Sequence, residues 1–184
     1  MKKRSFIGAC VMLVAIVVAL PLGVHTSLTK LREEAGSSYY YDKTGFAIYQ
    51  GVEEREATAN NLITVANRYT QTNSALAPLI EELDYAVRLT QNSYDDFAEE
   101  ASANQQMGKA AQALYEELKK TELSESDQKY PDQLIAQMES EQDKINRSSY
   151  NEDAREFNAR LDKFPVKLLL PFAGVQPLGT YDYE

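Results

Sequence analysis

The chain has 184 residues, 43% of them hydrophobic, and 28 Asp and Glu against 19 Lys and Arg give it a net charge of −9. That balance opposes nucleic acid or anionic lipid held through a general electrostatic field, and the length leaves room for one soluble domain of about 150 residues once a hydrophobic segment is set aside. The lone cysteine, Cys10, and the lone histidine, His25, exclude an intramolecular disulfide, a cysteine-based metal cluster and the usual His-rich metal and proton-relay sites. No cofactor is expected, and only a metal held by carboxylates alone stays open.

Residues 1–5 carry Lys2, Lys3 and Arg4, and residues 6–24, FIGACVMLVAIVVALPLGV, run nineteen positions without a charge. At 1.5 Å per residue this stretch matches a hydrocarbon core of about 30 Å, which predicts a transmembrane helix. A cleaved signal peptide is the rival reading. Its apolar region, however, is usually about 7–15 residues and ends at a small-x-small site, and none follows Val18. Ile7-Gly8-Ala9-Cys10 has the outline of a lipoprotein box, but the apolar run continues past it, so Cys10 reads as a membrane thiol. Pro21 removes one backbone donor and predicts a kink. Three basic residues before the span, against Lys30 and Arg32 after it, place the N-terminus inside and the domain on the outer face.

Residues 25–51 read as a juxtamembrane helix and loop. The helix is expected to reach Glu34 or Ala35 before Gly36-Ser37-Ser38 interrupts it. The following YYYDKTGFAIYQG clusters Tyr39, Tyr40, Tyr41, Phe46 and Tyr49 without helical spacing. An ordered loop is expected, its rings either in the core or at the membrane or a protein interface.

Residues 52–165 carry the helical bundle. Val52, Ala59, Leu62, Ile63, Ala66 and Tyr69 share one broad face. After a cap at Ser74, Leu76, Ile80, Leu83, Val87, Thr90, Tyr94 and Phe97 step by four and three alternately. The step recurs at Met107, Ala111, Leu114 and Leu118, then at Leu134, Met138, Glu141 and Ile145, and finally at Tyr150, Ala154, Phe157, Leu161 and Phe164. A 3.5-residue period on several antiparallel segments predicts an all-α fold, a left-handed helical bundle behind the N-terminal span. Residues 124–127 and Pro131 mark a restart, Ser149 to Glu152 has the form of a capping box, and the last helix is expected to stop at Phe164 before Pro165. The tail, residues 166–184, is apolar up to Leu178 and then acidic. It is expected to cover the open end of the bundle, the alternative being contact with the bilayer.

Three stretches also resemble the LemA family of bacterial membrane-anchored helical proteins. In REATANNLITVANRY, residues 55–69, the matching positions are Arg55, Asn61, Leu62 and Tyr69. In KYPDQL, residues 129–134, they are Tyr130 and Pro131. In residues 147–165 the pairs Tyr150-Asn151, Phe157-Asn158 and Phe164-Pro165 fall seven apart. The chain departs from the family at Ala57-Thr58-Ala59-Asn60, where an Asp-Leu-Ile-Pro sequence is usual. The resemblance implies the fold, a bacterial membrane location and no catalytic residues. Residues seven apart return to nearly one helix face, so the aromatics are expected in the core, with Asn151 and Asn158 flanking the seam and bonding neighbouring helices.

The acidic pairs Glu53-Glu54, Glu81-Glu82, Asp95-Asp96 and Glu99-Glu100 point about 100° apart within each pair and read as a solvated face. Di-metal carboxylate bundles need Glu-x-x-His pairs, which His25 cannot supply. No phosphate loop or nucleophile elbow is present. The expected function is a single-pass membrane protein whose bundle binds or scaffolds another membrane or envelope protein. A carboxylate-dependent metal hydrolase and a secreted helical binding protein are the alternatives.

Overall fold

A computed structural model describes residues 2–43, 45–94 and 96–183; the side chains of residues 2–11 and 13–18 lie outside that description. The described residues form seven helices: α1 Lys2–Ser37, α2 Ile48–Asn67, α3 Leu76–Asn92, α4 Phe97–Leu118, α5 Tyr130–Asn146, α6 Ser149–Leu161 and α7 Val166–Ala173. The all-α expectation is met. Among the described residues no helix is long and apolar enough to cross a membrane, and the expected span at residues 6–24 falls largely on side chains outside the description.

Helices α2 to α5 make an up-down-up-down bundle whose directions follow from their cross-links. Gln91 at the end of α3 bonds Glu56 near the start of α2, so those two run antiparallel. Arg55 on α2 meets Asn104 early in α4 and Gln142 late in α5, which makes α4 parallel to α2 and α5 antiparallel to both. The 3.5-residue stripe supplies the core: Leu62, Leu76, Leu83, Met107, Ala111, Leu114 and Leu118 are all fully enclosed. Burial of each larger side chain contributes about 1.5–3 kcal/mol.

A second core lies at the end of the bundle where α1, α6 and α7 pack. It joins Leu28 of α1, Tyr39, Ile48 and Val52 to Ile145, Tyr150, Phe157, Leu161 and three residues of the C-terminal tail, Val175, Leu178 and Tyr181. Asp42 helps fix this layer, accepting from the Ser148 hydroxyl at 2.6 Å and the Ser149 amide at 2.9 Å.

Several boundaries differ from the sequence expectation. Helix α1 reaches Ser37 and α2 begins at Ile48, four residues before Val52, so the loop is shorter than expected. Gly51 lies inside α2, where a Cβ would stand 2.8 Å from Ile145; its role is a close approach of α5. Asn73, not Ser74, turns the chain into α3, its Oδ1 accepting from the Ala75 amide at 3.0 Å. Ser148, one residue before the expected cap, opens α6. The α3 seam holds through Thr90 and fails at Tyr94, which is exposed past the helix end. Helix α6 stops at Leu161, not Phe164, because Pro165 has no N–H to close on the Leu161 carbonyl and the residue before a proline avoids the helical region.

Candidate functional site

The paired asparagines of α6 face the C-terminal tail. Asn151 is 1% exposed; its Oδ1 accepts from the Tyr181 amide at 2.8 Å and its Nδ2 donates to the Ile145 carbonyl at 2.7 Å. One heptad on, Asn158 takes both backbone groups of Leu178, donating to its carbonyl at 2.7 Å and accepting from its amide at 2.9 Å. Gln142 of α5 donates to the Tyr181 carbonyl at 2.8 Å, and the Tyr150 hydroxyl donates to the Gly179 carbonyl at 3.0 Å. The extended tail is therefore held through its main chain by these four side chains together with Arg32 of α1, whose Nε donates to the Gln176 carbonyl at 3.1 Å, much as a strand would be held by a neighbour. A Cβ at Gly179 would lie 2.4 Å from the Phe97 carbonyl and 2.6 Å from Ala98 Cα. Only glycine lets the tail lie against the first turn of α4.

The expectation that Asn151 and Asn158 bond neighbouring helices holds for Asn151, through the Ile145 carbonyl of α5, and is corrected for Asn158, which bonds the tail alone. Their main long-range partner is the tail, with Asn151 also reaching the end of α5. The aromatics of the same motif divide. Tyr150 and Phe157 are enclosed, whereas Phe164 is 86% exposed, because α6 has already ended and the heptad face no longer exists there.

Beneath the tail lies a polar interior that the sequence reading placed on the surface. Glu100 is 3% exposed, so the solvated-face expectation for Glu99-Glu100 fails for the second residue. The carboxylate accepts from the Tyr39 hydroxyl at 2.6 Å and the Tyr181 hydroxyl at 2.6 Å. Burial pushes the Glu100 carboxyl above its ordinary value of 4.5, the two phenols pulling it back. Burial, then the Glu100 charge, pushes the Tyr39 and Tyr181 phenols up in turn. Tyr39 and Tyr181 also pack their rings against Tyr150, so the loop tyrosines split between a core member and the exposed Tyr41 and Tyr49. Glu100, Glu53 and Glu56 line a cavity of about 470 Å³ with Tyr40 and Tyr49 at its walls. The other pairs, Glu53-Glu54 and Glu81-Glu82, are exposed, as is Asp96; Asp95 lies outside the described residues.

Arg55 is 2% exposed. Its Nη1 donates to the Asn104 side chain, the Gln142 side chain and the Tyr183 hydroxyl, the last at 2.8 Å. Burial pulls the guanidinium below its ordinary range, opposed by Tyr183. The remaining resemblance positions are mixed. Leu62 is core and Asn61 exposed. The Tyr69 hydroxyl donates to Asp127 at 2.7 Å, which with Arg68 holds that carboxyl below its usual range. Pro131 is buried in the first turn of α5, while Tyr130 is 38% exposed. Pro165 is exposed in the α6–α7 turn.

The sequence did carry a signal for both buried charges. Arg55 stands three after Val52 and four before Ala59, and Glu100 stands seven before Met107; both occupy seam positions. Among the described residues no three His, Cys, Asp or Glu side chains gather to hold a metal ion. The fold and site define an all-helical bundle closed by its own C-terminal tail. No family model, curated protein or solved structure matches the chain.

Proposed function

We propose that the chain is a membrane-anchored helical protein of LemA-like type, in which a single-pass N-terminal helix holds an interaction or scaffolding bundle at a bacterial cell envelope. The observation that carries this reading is the continuity of α1. Its 36 residues make one helix of about 54 Å, running from Lys2 through the uncharged stretch at residues 6–24 and into the second core, where Leu28 is 4% exposed. An anchor joined to the bundle without a flexible linker holds it in a fixed pose above the lipid. A further feature supports the same pose. The His25 Nδ1–H donates to the Ala173 carbonyl at 2.6 Å, which sets the end of α7 beside the end of the uncharged stretch; Phe172 stands 73% exposed at that end of α7, Leu168 67% exposed in its first turn and Phe164 86% exposed just before it. Apolar side chains at that level suit the headgroup boundary.

The test is fractionation combined with labelling. The protein is expected to stay with membranes through an alkaline carbonate wash and to leave them when Val14 and Val17 are both changed to Lys. With Cys10→Ser and a cysteine placed at the exposed Ser126, a membrane-impermeant maleimide is expected to label intact cells. Release of the unaltered chain by carbonate sinks the anchor, and labelling only after lysis reverses the orientation. A photoreactive residue at the exposed Tyr41 is expected to capture a reproducible envelope-protein adduct, and adducts to lipid alone would remove the scaffold role.

A further inference from the structure

A buried cation among the described residues has no anion. The ion pairs of the described residues leave out Arg55, Lys109 and Glu139. All the acceptors around Arg55 are neutral: the Asn104 and Gln142 amides, the Tyr183 hydroxyl and, at 3.5 Å, the Asn104 carbonyl. Every one of them bonds Nη1. The buried Nε has no acceptor at all. Taking a charge out of water costs several kcal/mol unless an opposite charge or a full set of hydrogen bonds replaces the water, and this guanidinium has neither.

Beside it opens a cavity of about 430 Å³, lined by Arg55, Gly108, Lys109, Ile135, Met138 and Glu139 among others. Gly108 gives the cation access to this space. A Cβ there would stand 2.7 Å from Arg55 Nη2 and 3.1 Å from the Tyr183 hydroxyl, so any side chain would displace the guanidinium from the wall. Arg55 and Lys109 against Glu139 leave one positive charge, which a monoanion balances and a dianion overshoots. Ile135 and Met138 of α5 contribute apolar atoms to the lining. The Arg55 Nη2, on which none of the neutral acceptors sits, lies at the Gly108 wall and suits a carboxylate oxygen, which accepts a charge-assisted bond.

We propose that this cavity is a binding site for an organic monocarboxylate, its carboxylate on Arg55 and Lys109 and a short apolar body on Ile135 and Met138. Tyr183 is then the lid. Its hydroxyl lies on Nη1 and its ring within 6.0 Å of the guanidinium carbon, and it sits on the tail that Asn151 and Gln142 hold. The proposal goes beyond the anchoring role and is independent of it.

The test titrates the full chain in mild detergent with isobutyrate, and with inorganic phosphate for comparison, by calorimetry. Isobutyrate is expected to saturate one site with a Kd at or below about 1 mM, with phosphate at least about tenfold weaker. Lys109→Gln, at an exposed position that leaves the core untouched, is expected to weaken isobutyrate about tenfold, and Arg55→Lys to weaken it further by withdrawing the Nη2 donor from the cavity wall. Tyr183→Phe, which frees an Arg55 donor, is expected to tighten it. The carboxylate can also come from the chain itself. Binding seen only in Glu184→Gln assigns the occupant to the Glu184 side chain and keeps the carboxylate site. No saturation up to about 10 mM in either the unaltered chain or Glu184→Gln, or affinity unchanged in both Lys109→Gln and Arg55→Lys, overturns the proposal.

Discussion

Replacing Asn151 with alanine tests whether α6 holds the tail. The change removes two hydrogen bonds of 2.8 and 2.7 Å, but the two partners left behind are not equal. The Ile145 carbonyl still accepts from the Ser148 amide at 3.1 Å, so there the loss is that of an ordinary bond, about 0.5–1.5 kcal/mol. The Tyr181 amide has no such alternative, and Tyr181 is fully enclosed. An orphaned buried donor costs about 1–3 kcal/mol. Together these predict a loss of about 2–4 kcal/mol, or a fall in Tm of about 4–16 °C for a chain of this size. Asn158→Ala, at a half-buried position where water reaches the freed groups, is expected to cost about 1 kcal/mol. Urea unfolding gives the energies, and hydrogen exchange gives the location: protection is expected to fall at residues 175–183 while α2 to α5 keep theirs. An Asn151→Ala cost below about 0.5 kcal/mol, or tail exchange identical to that of the unaltered chain, would refute the clamp.

Two further outcomes follow from burial. Phe157→Ala is expected to cost about 3–5 kcal/mol, since its ring is 2% exposed, whereas Phe164→Ala, seven residues on and 86% exposed, is expected to stay within about 0.5 kcal/mol; equal losses in denaturant unfolding would contradict the division of the motif. Glu100→Gln changes the pH dependence. Because burial raises the Glu100 carboxyl above its ordinary 4.5 in the folded chain, its contribution is fully present below about pH 4.5 and is lost as pH rises through the raised value. The variant has no such loss, so its stability minus that of the unaltered chain is expected to rise with pH from about 4 upward. Parallel stability curves, or a difference that falls with pH, would show that Glu100 is not held as described.

The helices were legible because an apolar stripe at alternate steps of four and three is local information, and burying that stripe is the main favourable term in a bundle. Leu76 through Thr90, Met107 through Leu118 and Tyr150 through Leu161 needed nothing but their own spacing. Their ends were less legible. Ser148 replaced the neighbouring Ser149 as the cap of α6, and α3 begins without a side-chain cap, Asn73 bonding the Ala75 amide in the turn before it, because a cap is chosen by the path of the incoming chain as well as by side-chain chemistry. The polar seam positions were the hardest to read. Spacing places Arg55 and Glu100 on the buried face, yet composition alone favours water for a charged residue, and what keeps them inside is a set of partners from elsewhere: Asn104, Gln142 and Tyr183 for one, Tyr39 and Tyr181 for the other.

By itself, then, the sequence determined the helices and their shared faces, which follow from short-range periodicity. The tertiary structure alone decided that the tail lies in the bundle, that Asn151 and Asn158 grip it, and that a guanidinium and a carboxylate are buried apart. Each of those depends on which backbone crosses which helix face. Residues such as Tyr181 and Asn151, thirty positions apart, carry no local pattern that announces their meeting.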